Sequence, residues 1–455
     1  MRRVSSWTRS SSSIINTTNV KRSGPDLRRT RCELLGDEIL SDFLSQGSRL
    51  YVCPKPGLKA RHAALCVACG SLDRAVSSVH ETHQGVPHFL EHRLFEKQEG
   101  DITARFTALG AEVDALTSFT STAYSFECVD HFEESLRLLL ELVLKPHFTD
   151  AGFDREREII QREIRLFEDN LEWVSFHTAL KALYGQHPLA VDMAGTVESV
   201  AQIGRRSLEI FYRTYYRPKS MSIFLCGEVD PLVGRQLVQE IVDDLLPGAG
   251  GEGGDMAVRQ RPVPASTTVS VSLPISRPRL CMAFHDDEKG LRGLALLKRE
   301  ICLEMAFDIL FGPSSEFFAS QYQAGHIQAE SFGWETYAEL AFCFAMIGGD
   351  VDNPQGMMEA IQGELNRARD GRLIDRGYNR AHRKMLGQLI YRFDEGEACT
   401  ASMQSAVNRE AEPFDYFRAH AQVSIADVES CLESCLKESN CGAAIVWPGD
   451  GRNIQ

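Results

Sequence analysis

The residues most suited to chemistry lie together in the stretch 85–95, Gly-Val-Pro-His-Phe-Leu-Glu-His-Arg-Leu-Phe, where His88, Glu91 and His92 form an H-x-x-E-H pattern. On a helix, His88 and His92 stand one above the other on one face. That is the spacing at which two imidazoles grip one metal ion. Glu91 sits beside His92, three residues from His88, and leans toward the same face. Phe89, Leu90, Leu94 and Phe95 supply apolar flanks for burying the helix and drying the site. Pro87 suits a first helical turn, where its missing N–H costs nothing. A catalytic zinc usually has three protein ligands and a water, so two histidines require a further donor from elsewhere. With two histidines a carboxylate is the usual choice. The competing reading is a helix on which two histidines and a glutamate meet by chance.

A donor is available in residues 150–169, a charged helical stretch. Glu156 and Glu163 are seven residues apart there, two turns along one face, and Ile159 and Ile160 fall near that face. Carboxylates are rarely buried unpaired. Zinc would give Glu163 its partner, with Glu156 orienting a ligand from behind. The same stretch taken alone reads as a solvated charge-rich helix, neutralised by Arg155, Arg157 and Arg162. His80 and His83, in the polar loop before the motif, are spare ligands or surface histidines.

The elements around the motif follow from residue type and period. Residues 49–53 and 62–69 read as strands, 101–109 as a helix, and 110–128 as a β-branched and aromatic hairpin. A strand edge beside a metal lets a peptide add itself as a further strand; such an edge could equally be paired inside the sheet. Residues 131–144 are apolar at helical spacing, 215–230 turn into a strand ending at Gly227, and 231–246 form a helix. Residues 247–254 hold five glycines and read as a linker, with an extended polar stretch to about residue 274. Beyond it come a strand at 280–284, a helix at 294–311, a strand pair within 327–347, helices at 353–369, 375–392 and 424–438, and a strand at 442–447. This order echoes residues 49–230, but no H-x-x-E-H recurs. The expected organisation is a basic disordered tail over 1–31, a metal-bearing domain over 32–246, a linker over 247–275, and a structurally repeated domain over 276–455 without the metal motif.

Composition narrows the functional classes. The chain has 455 residues and is 43% hydrophobic and 25% charged, with a net charge of −14, so nucleic acid is not expected as the main partner. Residues 1–31 carry eight Lys/Arg against the single Asp26, a net +7, leaving −21 on the remainder. No apolar run reaches the roughly 18–20 residues of a membrane span, and no membrane association is expected. The thirteen cysteines are scattered without a disulfide spacing. They read as reduced core residues of an intracellular protein. Cys66 and Cys69 form a C-x-x-C whose side chains, in a strand, point to opposite faces. The Ser/Arg-rich tail has no apolar segment of a secretory signal. The expected location is cytoplasmic, with an organelle matrix as the alternative if the tail is a transit peptide.

Taken together, His88-Phe-Leu-Glu-His92, Glu156 with Glu163, the strand Ala115-Leu-Thr-Ser and residues 215–230 resemble the pitrilysin/insulinase (M16, inverzincin) zinc metallopeptidases. The likeness covers roughly residues 35–448. It is strongest over 84–230, where it points to a compact bacterial subgroup of uncharacterised zinc proteases associated with elongation factor P modification. The resemblance implies an α+β chain of two homologous domains, each a mixed, mostly antiparallel sheet with helices packed on one face. Two such chains, as a homodimer or a heterodimer with a homologous chain, would close a chamber around a peptide or unfolded-protein substrate. It further implies one Zn2+ per chain held by His88, His92 and Glu163, with Glu91 as general base and Glu156 as supporting carboxylate.

Three positions depart from the family pattern. Asp114 stands where the family has Asn on the substrate-receiving strand, next to Ala115; it loses the amide donor and adds a charge that favours basic peptides. Ala319 and His326 stand where catalytic relatives carry an Arg and a Tyr that hold substrate and steady the developing oxyanion. His326 can donate in place of Tyr; the Arg has no obvious substitute. The expected function is therefore a zinc-dependent endopeptidase, and the alternative is a weakly active or non-catalytic subunit that pairs with a homologue, in protein modification or processing.

Overall fold

The computed structural model describes residues 15–20, 27–74, 76–77, 80–81, 83–246, 259–369 and 372–449. The glycine-rich part of the expected linker, 247–254, lies outside them. The first sheet is built from eight strands: β1 (Ile15–Val20), β2 (Leu27–Cys32), β3 (Asp37–Phe43), β4 (Arg49–Pro54), β5 (Arg61–Val67), β6 (Glu112–Thr117), β7 (Thr122–Cys128) and β8 (Met221–Gly227). A second sheet has five: β9 (Thr268–Leu273), β10 (Arg279–His285), β11 (Gly333–Ala338), β12 (Cys343–Asp350) and β13 (Cys441–Pro448). The helices that matter below are, in chain order, α1 (Val86–Phe95), α2 (Phe132–Leu144), α3 (Asp150–Phe167), α4 (Leu171–Tyr184), α5 (Arg205–Tyr215), α6 (Pro231–Leu245), α7 (Leu294–Phe311) and α8 (Gly396–Asn408).

The spatial order of the first sheet is β1-β2-β3-β4-β8-β5-β7-β6, and that of the second is β9-β13-β10-β12-β11. The five strands β4-β8-β5-β7-β6 and the whole second sheet share one topology. Each starts with a parallel pair, β4 with β8 or β9 with β13, and continues in antiparallel steps. The repeated α+β architecture expected from the element order is therefore present. In β4, β5 and β8 nearly every side chain is buried, because both faces are covered. The edge strand β6 alternates instead, with Val113, Ala115 and Thr117 turned inward and Glu112, Asp114 and Leu116 exposed.

The chain forms two compact units, each discontinuous in sequence. The first comprises residues 1–162, 193–258 and 389–418; the second comprises 163–192, 259–388 and 419–455. In the first unit α2 and α6 pack on one face of the sheet, and α8 covers the other against β8 and β5. In the second, α4 packs on β13, β10 and β9, where Val174 joins Val271, Leu273 and Val446 in an apolar cluster. Each sheet thus takes one covering helix from the other half of the sequence. Gly442 makes the second closure possible, since a Cβ there would lie 2.4 Å from the Leu183 backbone nitrogen.

Two local expectations are corrected. Of the tail expected to be disordered, residues 15–20 and 27–32 are strands. Leu27, Thr30 and Cys32 are buried at alternating or near-alternating positions, and this weak period is masked in the sequence by the arginines between them. The region read as linker contains β9, paired in parallel with β13; its Thr/Val/Ser alternation is strand-like but too polar to stand out. Among the described residues no helix is long and apolar enough to cross a membrane.

Candidate active site

The H-x-x-E-H motif is helical, as its spacing requires. Gly85 enters α1 with a positive φ of 87°, a conformation open to glycine. A Cβ there would also lie 2.3 Å from the Ala194 carbonyl oxygen. Pro87 occupies the first turn. Phe89, Leu90 and Leu94 are wholly buried, each contributing about 1.5–3 kcal/mol of apolar burial, and Phe89 stacks on Phe153 with ring centroids 5.7 Å apart. This buried flank leaves the face bearing His88, Glu91 and His92 as the one turned to the site.

On that face one donor atom from each of His88, Glu91 and His92 lies within 4.8 Å of the others. The two imidazole centroids are 4.6 Å apart, nearly edge to face. Burial, and then the neighbouring His92, hold the His88 pKa down to about 3, so its ring is neutral and keeps a lone pair near neutral pH. His92 Nδ1 lies 2.9 Å from Glu156 Oε1 on α3. A carboxylate oxygen accepts, so His92 Nδ1–H donates, and in the neutral ring Nε2 then carries the lone pair. Glu91 is buried and accepts a hydrogen bond from the Thr117 hydroxyl at the end of β6.

Other neighbours were not evident from the motif. Arg93 is fully buried, pairs with Glu96, and lies 5.2 Å over the Phe153 ring. Glu96 also accepts from Arg155 at 3.2 Å. Lys97 closes the C-terminal end of α2, donating to the carbonyls of Leu142 at 2.8 Å and Lys145 at 2.7 Å. Burial lowers its pKa to about 8. The period of two in β6 is the only sequence signal for Thr117. Nothing in spacing announces the buried Arg93.

A cleft of about 780 Å³ opens beside the motif, lined among others by Glu91, His92, Asp114, Ala115, Glu156 and Ile159. Ile159, expected to point inward with Ile160, is 37% exposed, whereas Ile160 is buried. The cleft runs along β6, which is the terminal strand of its sheet. Glu163 follows Glu156 by two turns of α3 and is half-buried. Ala319 and His326 belong to the second unit. Both are exposed, and the His326 ring is 3.0 Å from Gln321 Oε1.

Comparison with known proteins identifies the family. Residues 55–197 match the family described as Insulinase (Peptidase family M16), and residues 202–384 match the Peptidase M16 inactive domain. The chain is 30% identical over 407 residues to a Bacillus subtilis protein named uncharacterized zinc protease YmfH, spanning 88% of this chain and 94% of the relative. A crystal structure of an M16-like peptidase from Alicyclobacillus acidocaldarius superposes with a TM-score of 0.84 at 28% identity, over 91% of this chain and 99% of that one. Pitrilysin shares the fold at a TM-score of 0.69 and 13% identity, with 97% of this chain matching 48% of that longer one. With the repeated α+β sheets, the helical H-x-x-E-H and a near full-length relative in agreement, this chain belongs to the M16 peptidase family.

Proposed function

We propose that the chain is a zinc-dependent endopeptidase acting on peptides or unfolded segments. The observation that carries this reading is the convergence of His88, Glu91 and His92 on one helical face beside an edge strand. Two neutral imidazoles plus a carboxylate are a donor set of catalytic zinc. In this reading His88, His92 and Glu163 hold the ion, and Glu156 keeps His92 in register. Zinc supplies a Lewis acid that polarises the scissile carbonyl and acidifies water. Glu91 takes a proton from the attacking water and passes it to the leaving amine, with the Thr117 hydroxyl fixing the carboxylate's aim. The free side of β6 receives the substrate main chain as an added strand, along Asp114 and Ala115. The Asp114 charge there favours basic side chains.

Glu91→Gln is the direct test. Zinc content by elemental analysis should stay at the level of the unaltered chain while cleavage of a quenched peptide library disappears. Cleavage that persists in this variant would reject the mechanism. The exposed Ala319 and His326, where the resemblance places Arg and Tyr, favour a second reading as a non-catalytic subunit that pairs with a homologue to enclose a chamber. Zinc without turnover in the unaltered chain, together with a dimer mass in solution, selects that reading.

A further inference from the structure

A second cluster of metal-binding side chains lies in the first unit, on the sheet face away from the H-x-x-E-H helix. Cys53 on β4 pairs with Cys226 on β8, and Cys226 pairs with His62 on β5. Paired residues point to the same face, so the three form one row across three neighbouring strands. That face is covered by α8. Thr400 Oγ1 lies 2.8 Å from His62 Nδ1, and Asn408 lies 3.6 Å from Cys66 Sγ, two residues from Ala64 along the same side of β5. The active-site face is the opposite one: Thr117, which binds Glu91, pairs with Thr122, and Thr122 pairs with Val67, out of phase with Cys66 and His62.

The residue before Thr400 completes the cluster. Cys399 descends from α8 so that the sulfurs of Cys53, Cys226 and Cys399 all lie within 4.8 Å of one another. All three residues have zero exposure, and none is in a disulfide. Gly396 allows the helix this close, since a Cβ there would sit 3.2 Å from His62 Cβ. Zinc–sulfur bonds of about 2.3 Å in a trigonal array set sulfur–sulfur separations of about 4 Å, inside the observed limit.

We propose that Cys53, Cys226 and Cys399 form a second metal site, for one soft, thiophilic ion of the zinc or copper(I) type, which fastens α8 to the first sheet. Thiolate ligands select such ions. Binding forms three metal–sulfur bonds, breaks the three S–H bonds and releases their protons to solvent. All three sulfurs are sealed between α8 and the sheet, so the role is structural, in contrast to the open cleft lined by Glu91 and His92.

Cadmium(II) is the probe, added to the full chain carrying His88→Ala and His92→Ala so that the first site does not contribute. One equivalent should bind, with an ultraviolet thiolate-to-cadmium charge-transfer band and a rise in Tm. Cys399→Ala should abolish both, and Cys66→Ser, a buried cysteine outside the trio, should leave both intact. Circular dichroism establishes that Cys399→Ala is folded; if it is not, Cys53→Ser serves in its place. No band and no Tm shift in the His88→Ala/His92→Ala chain, or a band that survives loss of a trio cysteine, overturns the proposal. Neither result bears on the peptidase reading, because the first site is absent from every arm.

Discussion

The hydrogen bond between His92 and Glu156 yields the most quantitative prediction. Its 2.9 Å length and a carboxylate acceptor make it charge-assisted. With side-chain exposures of 24% and 12% it is only partly open to solvent screening. Hydrogen bonds to charged groups contribute about 1.5–3 kcal/mol. Removing the outer partner of a metal-binding histidine typically weakens metal affinity about 10- to 100-fold, or about 1.4–2.7 kcal/mol. The two ranges overlap, so the bond's worth can pass almost wholly into metal affinity. Glu156→Gln keeps an acceptor oxygen but loses the charge, and should raise the zinc Kd about 10-fold. Glu156→Ala should raise it toward 100-fold. The assay is competition against a chromophoric chelator, with Glu158→Gln, exposed on the same helix, as the control. A zinc affinity in Glu156→Ala indistinguishable from that of the control would refute the assignment of His92 as a ligand oriented by Glu156.

Thr117→Val removes the donor to the buried Glu91 carboxylate, and turnover should fall about 10- to 100-fold, as expected for about 1–3 kcal/mol, with zinc content unchanged; steady-state kinetics beside metal analysis checks it. Gly85→Ala forces a Cβ against the Ala194 carbonyl at a left-handed φ and should lower Tm and zinc content together. Arg93→Ala leaves Glu96 with Arg155 alone and removes the cover from Phe153; urea unfolding should show a loss of about 1–3 kcal/mol, and a loss within the range of surface substitutions would contradict the burial. In the second unit, His382 and His420 each donate Nε2–H to the other's backbone carbonyl. Burial holds both below the usual imidazole range, with His420 at about 4. The unfolded chain protonates them near 6.5. Stability is therefore intact above that pH and declines as pH falls toward 4. His420→Leu should flatten this part of a urea-midpoint curve against pH, and an unchanged acid slope would reject the pair as its source.

The sequence revealed elements whose signal is local. The His88–His92 spacing dictated a helical face, and the apolar runs of β5 and β8 dictated buried strands. The repeat was visible as an echo in element order. What escaped were features set by distant partners. Cys226 reads as a core residue until its register places it beside Cys53, and Cys399 lies on a helix that its small-residue composition, Gly-Glu-Ala-Cys-Thr-Ala-Ser, does not advertise. Arg93 looks like an ordinary solvent-facing residue of an amphipathic helix, because only Phe153 and Glu96 explain its burial. The strands in the tail and in the linker were hidden by polar composition, since their pairing partners supply the order that their own side chains do not.

The exchange of α4 and α8 between the two sheets has a consequence for synthesis on the ribosome. When the last strand of the first sheet, β8, has emerged, the face bearing Tyr51, Phe224 and Cys226 still has no cover, and none arrives until residues 396–408 are made. The nascent segment up to β8 must therefore wait, with a greasy surface open to chaperones, until residues 396–408 have been made. Cutting the gene within 247–258 would produce two fragments, each carrying the other's missing lid. Such fragments should be insoluble when expressed separately and regain solubility when co-expressed.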